Sequence, residues 1–327
     1  MKSKIAFIYH TPHHSHAGFA RSINADFIYY NPYNLPTFLT PLYMIYGYEK
    51  IKKYDILFLE SGSCLSLASS LKLRKKKLKI ILLLMDPIVH NLLFIKRKYL
   101  IFLIKRYVNG IIAVSNYIKR LARKNGIKCP IRVAYPYAYR LYNDVKPKLE
   151  NKNILFIGHA RKSKGYMKLV EAFKILREKD KEWNLYLVGE CSKDIKEKFD
   201  GLHVEGRVSN LKKYFNICSL YVHPADFDPC PVSVWEAMSA GLIPILTKNV
   251  GNSEVLEENG LKELILGNND PVNISNKIEE IFYSNSKKEI SSLCRKIANE
   301  FTESKRKYMF RKEFFKLLDE INEKNLQ

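Results

Sequence analysis

The sequence predicts an α/β protein made of two doubly wound parallel sheets. Short apolar runs alternate with helical patterns along the whole chain, and most of these runs are apolar at nearly every position. Such runs are typical of strands buried on both faces, as in parallel sheets covered by helices. A chain of 327 residues is long enough for about two such domains.

Nine apolar runs are predicted strands, and they form two groups separated near the middle of the chain. The predicted strands lie at 4–9, 55–60, 78–84, 110–114, 154–158, 184–189, 219–223, 242–246 and 261–266. Two helix starts are marked especially clearly. Ser115 precedes one helical pattern, and Asp270 precedes another that has Pro271 in its first position.

A polar, proline-containing stretch at 142–153 has no strand pattern and is the predicted linker. We therefore expect an N-terminal, strongly basic Rossmann-like domain at 1–148 and a C-terminal one at 149–304. Residues 305–327 form a charged, amphipathic pattern, which predicts a final helix that packs back toward the N-terminal domain.

The basic charge of the chain is confined to its first half. Residues 1–150 carry 26 Lys and Arg against 7 Asp and Glu, whereas residues 151–327 carry 29 against 26. This asymmetry indicates an anionic partner, either a nucleic acid or a lipid headgroup surface. The simpler alternative is a lysine-rich surface in contact with solvent.

Between Lys72 and Arg106, basic residues alternate with Leu, Ile and Phe, which favours a membrane surface over nucleic acid. The alternative is that these apolar residues are helix core. No apolar stretch approaches the ~20 residues that a membrane span needs. The six cysteines have no metal or disulfide spacing, and the sequence runs directly into a strand, which together predict a cytoplasmic protein. The stretch between Lys72 and Arg106 predicts that this protein is held peripherally at the inner membrane face.

The basic turn at 158–165 lies between a predicted strand and a predicted helix. Arg161 and Lys164 are expected beside the N-terminus of that helix, where they would form a cationic pocket for phosphate. Taken alone, the segment could equally be a solvated basic turn. Neither a GxGxxG nor a Walker pattern occurs in the chain.

Two carboxylates follow the predicted strand at 219–223. Asp228 lies in the next loop, and Glu236 lies eight residues later on a helix that Pro231 can start. Both can face one cleft, and carboxylates accept hydrogen bonds from paired hydroxyls such as a ribose diol or a sugar ring. The simpler roles are a helix cap for Asp228 and a solvated helix face for Glu236.

The run DPCPVSVWEAMSAGLIPI, which begins at Asp228, resembles the E-x7-E signature of the retaining glycosyltransferases of family 4. That family has the GT-B fold, in which two Rossmann-like domains face a central cleft. The resemblance covers roughly residues 110–300. It also includes GHARKSKG at 158–165, VEGRVSN at 204–210, VGNSEVL at 250–256 and GIIAVSNYIKRLARKNGI at 110–127.

The resemblance implies a site for a nucleotide-diphosphate sugar. Glu236 would bind the ribose hydroxyls, and Asp228 would hold hydroxyls of the transferred sugar. Lys164, with Arg161 or His159, would neutralise the diphosphate. The resemblance extends the donor-binding set to Gly158, Gly206, Arg207, Val232, Ser233 and Glu254. It also implies no metal and no further cofactor, because cationic side chains and helix dipoles would neutralise the leaving group.

The C-terminal half departs from the family pattern at three positions. Asp228 stands where the family usually has Glu, His159 where it has Arg, and Pro231 where it has Gly. Arg161 would then reach in from two residues further along. These departures leave the identity of the sugar open.

The N-terminal third matches the family only in outline. Gly18 resembles the first glycine loop, and Met85 stands where the family has a histidine. Asp86 follows as the family pattern requires, and His90 is the nearest substitute for the missing group. A metal could bind the histidines of the first loop, but no carboxylate set accompanies them in the sequence, and lining the acceptor cleft is favoured. These histidines are His10, His13, His14 and His16.

The sequence thus predicts a retaining, metal-independent hexosyltransferase. It would move a sugar from a UDP or GDP sugar to a hydroxyl acceptor, either lipid-linked or a glycan. One alternative is a glycosyltransferase that modifies DNA, recruited through the basic half. Another is a catalytically silent nucleotide-sugar-binding protein, which Met85 allows. The nucleotide base, the sugar, the acceptor and the oligomeric state stay open.

Overall fold

The computed structural model describes residues 3–9, 13–29, 51–85 and 95–324. It divides the chain into two compact units, one formed by Met1–Pro136 with Glu303–Gln327 and the other by Tyr137–Thr302. Within the described residues, each unit contains a six-stranded sheet in which all neighbouring strands are parallel. The predicted fold class, doubly wound α/β twice, is confirmed.

The sheet of the first unit has the order β2-β1-β3-β4-β5-β6. Its strands are β1 (Ile5–Tyr9), β2 (Asp26–Tyr29), β3 (Ile56–Leu59), β4 (Lys79–Leu84), β5 (Gly110–Ala113) and β6 (Ile131–Val133). Its described helices of more than one turn are α1 (His14–Ser22), α2 (Leu65–Arg74), α3 (Ile95–Tyr107), α4 (Asn116–Lys124) and the final helix α11 (Glu303–Lys324).

The sheet of the second unit has the order β12-β11-β10-β7-β8-β9. Its strands are β7 (Asn153–Ile157), β8 (Asn184–Val188), β9 (Leu202–Val204), β10 (Leu220–His223), β11 (Ile243–Thr247) and β12 (Ile265–Leu266). Its helices are α5 (Tyr166–Lys179), α6 (Lys212–Phe215), α7 (Val232–Ser239), α8 (Ser253–Glu258), α9 (Pro271–Phe282) and α10 (Lys287–Ala298). The strand order reverses between β7 and β10, so the carboxyl ends of these two strands flank the switch point.

The predicted helix caps are confirmed. The Ser115 hydroxyl accepts a hydrogen bond from the Ile118 amide at 3.3 Å, and the Asp270 carboxylate accepts one from the Asn273 amide at 2.9 Å. Pro271 occupies the first turn of α9, where its missing N–H has no helical partner to lose.

The sequence analysis missed three strands, β2, β6 and β9. All three lie at an edge of their sheet, and each has only three or four residues. Most of their side chains are at least partly exposed, and none of the three segments is apolar at every position. An edge strand pairs on one side only, and its composition is therefore less constrained than that of a central strand.

The boundary between the units lies at Pro136 and Tyr137, earlier than the predicted 148. The polar stretch that we interpreted as a linker belongs to the second unit because side chains of that unit bind its backbone. The Tyr142 amide donates to the Ser239 hydroxyl at 2.8 Å. The Arg295 guanidinium donates to the carbonyl of Asn143 at 3.1 Å and to that of Val145.

The final helix belongs to the first unit. It packs on α1 and on strands β5 and β6. The Phe310 ring stacks on Phe19 with 4.3 Å between the ring centroids, and Phe314 and Leu317 are fully buried. Alternation of these rings with charged residues accounts for the amphipathic pattern of the sequence. Among the described helices, none is long and apolar enough to cross a bilayer.

Candidate functional site

The candidate site lies at the switch point of the second sheet. Two loops meet there, at 158–165 after β7 and at 224–231 after β10. Gly165 has a φ of +77°, and a Cβ on it would lie 2.1 Å from the carbonyl oxygen of Pro224. Glycine is therefore required for the two loops to pack this closely. The Asp226 amide donates to the Ser163 carbonyl at 2.8 Å and ties the loops together.

Lys164, Asp228 and His223 form a buried cluster where the two loops meet. The Lys164 ammonium forms an ion pair with Oδ2 of Asp228, and the side chains are 15% and 4% exposed. The same Oδ2 accepts a hydrogen bond from Nε2 of His223 at 2.9 Å. The Asp228 backbone is also fixed, because its amide donates to the Asn249 carbonyl at 3.0 Å. The predicted cation and the predicted first carboxylate are therefore in direct contact.

Burial alone would raise the pKa of Asp228, but the Lys164 charge and the hydrogen bond from His223 together lower it to about 2. Burial lowers the pKa of His223, although Asp228 opposes this shift. At neutral pH the cluster thus contains an ionised carboxylate and a neutral imidazole. A carboxylate that stays ionised in a buried site is a strong hydrogen-bond acceptor for hydroxyl groups.

Glu236 lies on α7 and is also buried. Burial raises the pKa of its carboxyl to about 7, and hydrogen bonds from the backbone of Arg140 and Tyr139 offset this only in part. Burial chiefly, with the charges of Asp228 and Glu236, raises the pKa of Tyr221. Glu236 is 4% exposed, so the simpler alternative, a solvated helix face, is wrong.

A second, exposed cluster lies at the carboxyl ends of β7, β8 and β9. Nδ1 of His159 lies 2.9 Å from Oε2 of Glu190, and the Arg207 guanidinium pairs with Oε1 of the same carboxylate. The hydrogen bond from His159, followed by that from Arg207, lowers the pKa of Glu190. The cluster offers both hydrogen-bond donors and an acceptor at the rim of the switch point.

Backbone geometry places this rim cluster. Gly189 has a φ of +105°, and a Cβ on it would lie 2.5 Å from the Gly158 carbonyl oxygen. The Gly189 amide donates to the Gly206 carbonyl at 2.6 Å. The ends of the three strands are thereby held close together, with Gly158 and Gly206 at the positions that the sequence analysis assigned to donor binding.

The other predicted residues of the second unit take different positions. Val232 and Ser233 form the first turn of α7, and Glu254 lies buried in the first turn of α8. Arg161 is exposed, and its side chain makes no hydrogen bond or ion pair with any other described residue. Lys164, rather than Arg161, is thus the cation that the structure brings to Asp228.

In the first unit, the placement of Gly18 in a glycine loop is wrong. Gly18 lies buried inside α1, because that helix already begins at His14 and packs its small residues into the core. Met85 directly follows β4, and the predicted residues Asp86 and His90 lie outside the described residues. At this unit's switch point, between β1 and β3, Nδ1 of His16 lies within hydrogen-bond distance of Oε1 of Glu60, at 3.2 Å, and both side chains are buried.

The sequence analysis assigned no role to three of these residues, His223, Glu190 and Glu60. Each lies at the carboxyl end of a strand or directly after it. Position alone was the available signal, and a histidine that ends an apolar strand is indistinguishable from a core residue in the sequence. In the part of the chain that the structure describes, no group of three His, Cys, Asp or Glu side chains could hold a metal ion.

The second unit is similar in sequence to a known protein family. Residues 142–300, all within the second unit, match the profile of the family described as Glycosyl transferases group 1. An uncharacterized glycosyltransferase of Haemophilus influenzae is 31% identical over 139 residues, which are 37% of this chain and 39% of that protein. An uncharacterized 41.2 kDa protein in the cps region of Klebsiella pneumoniae is 28% identical over 290 residues, 78% of this chain and 77% of that protein.

The crystal structure of Anabaena Alr3699/HepE in complex with UDP-glucose has the same fold. It has a TM-score of 0.76 at 15% identity and covers 96% of this chain and 100% of its own. Two parallel α/β sheets of this kind match the GT-B fold. The profile match shows similarity to the group 1 glycosyl transferases within the second unit, and the likeness to this structure shows the fold.

Proposed function

We propose that this protein is a retaining glycosyltransferase that moves a hexosyl group from a nucleotide-diphosphate sugar to a hydroxyl acceptor. The observation that carries the proposal is the buried Lys164–Asp228–His223 cluster, which lies at the sheet's switch point and within the segment that matches the family profile. In open α/β sheets, ligands bind at such a switch point.

The proposed donor is a UDP sugar. Anabaena Alr3699/HepE, which shares the fold, binds UDP and UDP-glucose. In this chain, Glu236 would accept hydrogen bonds from the ribose hydroxyls, and the rim cluster of His159, Glu190 and Arg207 would face the base. The amides at the N-terminus of α7 would add to the positive field around the diphosphate.

Lys164 would connect the leaving group with the transferred sugar. Its ammonium has three N–H donors, so it can contact Asp228 and a diphosphate oxygen at the same time. Asp228 would hold hydroxyls of the sugar. The bond from the anomeric carbon to the diphosphate breaks, a bond to the acceptor oxygen forms on the same face, and the acceptor proton passes to the departing diphosphate. Positioning and fixed charges would supply the catalysis, without a metal.

We further propose that the acceptor is lipid-linked and is reached at the anionic cytoplasmic face of a membrane. The supporting feature is an exposed face of α3. Tyr99 and Phe102 lie three residues apart on that face and are 51% and 58% exposed. Lys105 and Arg106 are exposed beside them, while Ile104 on the opposite face is fully buried. Aromatic rings among cations suit a headgroup boundary.

Donor binding and turnover test the proposed reaction. A thermal-shift screen should find stabilisation by UDP sugars, since a ligand at 100 times its dissociation constant stabilises by about 2.7 kcal/mol. Release of UDP should then be measurable and should persist in EDTA. Binding without turnover would indicate a silent binding protein. Activity that EDTA abolishes and Mn²⁺ restores would overturn the metal-free mechanism.

Flotation with vesicles tests the membrane proposal. Phosphatidylcholine vesicles containing phosphatidylserine should bind the protein, and pure phosphatidylcholine vesicles should not. Each basic residue near an anionic leaflet contributes about 1 kcal/mol, so binding should be reversible and weaken with salt. Phe102→Ser should reduce binding, whereas Tyr308→Ser, which removes a ring that is 67% exposed on α11, should not. Preference for DNA in a parallel titration would favour the DNA-modifying alternative.

A further inference from the structure

Asp228 makes its two side-chain contacts through one oxygen. Both the Lys164 ammonium and Nε2 of His223 contact Oδ2. Oδ1 makes no hydrogen bond to any residue that the structure describes. The carboxylate is therefore held by one oxygen while the other has both lone pairs available, which is the arrangement needed to accept a hydroxyl of a bound sugar.

The tautomer of His223 follows from its neighbours. Ionised Asp228 can only accept a hydrogen bond, so Nε2 of the imidazole carries the proton. Nδ1 of the neutral ring is then an acceptor. The Tyr221 hydroxyl lies 3.4 Å from Nδ1 and equally far from the Ile157 carbonyl oxygen, so it can donate its single proton to either. The Tyr221 oxygen in turn lies 2.8 Å from the Ser233 hydroxyl. When the Tyr221 proton points to Nδ1, a chain of hydrogen bonds runs from Ser233 through Tyr221 and His223 to Asp228.

Packing holds the imidazole in this orientation. His223 is 1% exposed, and its ring stacks on Phe156 at 5.3 Å between centroids and 4° between planes. Tyr221 is fully buried. In such a low-dielectric setting, hydrogen bonds in a chain polarise and strengthen one another. The chain begins at Ser233 in the first turn of α7, where the proposed diphosphate would bind, and ends at the carboxylate proposed to hold the sugar.

We propose that His223 is a positioning residue for sugar transfer. Its Nε2–H holds Oδ2 of Asp228 together with Lys164 and thereby directs Oδ1 to a hydroxyl of the transferred sugar. Ionised Asp228 sets the tautomer that makes this hydrogen bond possible, and the Tyr221 hydroxyl lies where it can donate to the ring nitrogen without a proton. The inference rests on the proposed function, because it assigns the sugar contact to one oxygen of one residue.

His223→Leu tests the inference, with His223→Gln as its matched control. Gln keeps an N–H donor at a similar reach, whereas Leu fills the space without one. We expect His223→Leu to lower kcat about 10²-fold, the size of effect that follows a misplaced catalytic group, with a change in KM for the donor of about threefold or less. His223→Gln should recover most of that loss. Tyr221→Phe, which removes only the hydroxyl, should have a smaller effect in the same direction.

Binding gives a readout that a purely structural role would not change. The wild-type protein should bind a UDP sugar more tightly than UDP, because Oδ1 contacts the sugar. In His223→Leu this difference should shrink while UDP affinity and the folded fraction, checked by thermal unfolding, are retained. Equal kcat in wild type and His223→Leu, or unchanged discrimination between UDP sugar and UDP, would overturn the inference and leave the proposed function intact.

The tautomer can be measured without any substrate. Imidazole ¹⁵N shifts of the wild-type protein should show His223 neutral at pH 7 with its proton on Nε2. A proton on Nδ1, or a charged ring, would contradict the hydrogen-bond chain. Failure of the wild-type protein to bind or turn over nucleotide sugars, with the predicted tautomer present, would instead count against the proposed function.

Discussion

The loop that carries Asp228 and the helix that carries Glu236 bury their carboxyls almost equally, at 3% and 4% exposure. Their pKa values nevertheless move in opposite directions. Burial raises the pKa of Glu236 to about 7, whereas the charge of Lys164 and the hydrogen bond from His223 overcome burial and lower that of Asp228 to about 2. Partners, rather than depth, therefore decide which buried acid is ionised.

The largest expected effect on turnover is that of a substitution at Asp228. Asp228→Asn keeps the shape and removes the charge, and we expect turnover to fall about 10²- to 10³-fold, as for loss of one preorganised group at a reacting centre. UDP affinity should change much less. Steady-state kinetics with a UDP sugar, beside UDP titration by calorimetry, measures both. Equal losses in turnover and UDP affinity would show that Asp228 binds the nucleotide instead.

Removal of the cation should have the next largest effect. Lys164→Ala should lower turnover about 10²-fold, because one fixed charge at the leaving group is lost. Arg161→Ala is the matched control, since it removes a cation from the same turn that contacts no described side chain. It should change turnover by a few-fold at most. If the two variants rank in the opposite order, the assignment of the diphosphate contact to Lys164 is wrong.

The prediction for Glu236 concerns the free energy of unfolding, and the expected effect is smaller than the losses of turnover expected at Asp228 and Lys164. Between pH 4.5 and about 7 the folded state retains a proton that the unfolded state has released, so stability falls as pH rises through this range. The complete loss is about 3 kcal/mol. Glu236→Gln should remove this slope and raise the free energy of unfolding at pH 8, while nucleotide binding weakens about tenfold.

Urea unfolding at pH 5 and pH 8, with UDP titration of the same two proteins, measures this prediction. A wild-type stability that does not fall between these pH values would show that the Glu236 carboxyl is not held in its protonated form. If Glu236→Gln gains stability and keeps full nucleotide affinity, Glu236 does not bind the nucleotide.

The sequence was sufficient for the fold and for most of the residues at the candidate site. Central strands are recognisable because burial on both faces requires an apolar run. Strands β2, β6 and β9 were missed because the composition of an edge strand is less constrained. Asp228 and Glu236 were recognisable from their spacing. Their protonation was not, because that of Asp228 depends on Lys164 and His223, which come from other elements of the fold, and that of Glu236 depends on its burial.

Other features depend on packing that no local pattern shows. The stretch at 142–153 is polar and was interpreted as a linker, yet Arg295, some 150 residues further along, binds its carbonyls. Gly18 was expected in a loop because it resembles the family's first glycine loop, but it lies buried inside α1. His223 ends an apolar strand, and only the position of Asp228 in space reveals its role.

The attachment of residues 139–145 to the second unit determines how the protein can be divided for experiment. A fragment that begins at residue 149 would lack Tyr139 and Arg140, whose backbone hydrogen bonds reach Glu236. It would also lack the carbonyls that Arg295 binds, leaving a guanidinium without these acceptors. A fragment of residues 137–302 retains both sets of contacts and is the segment to express for isotope labelling of the proposed nucleotide site.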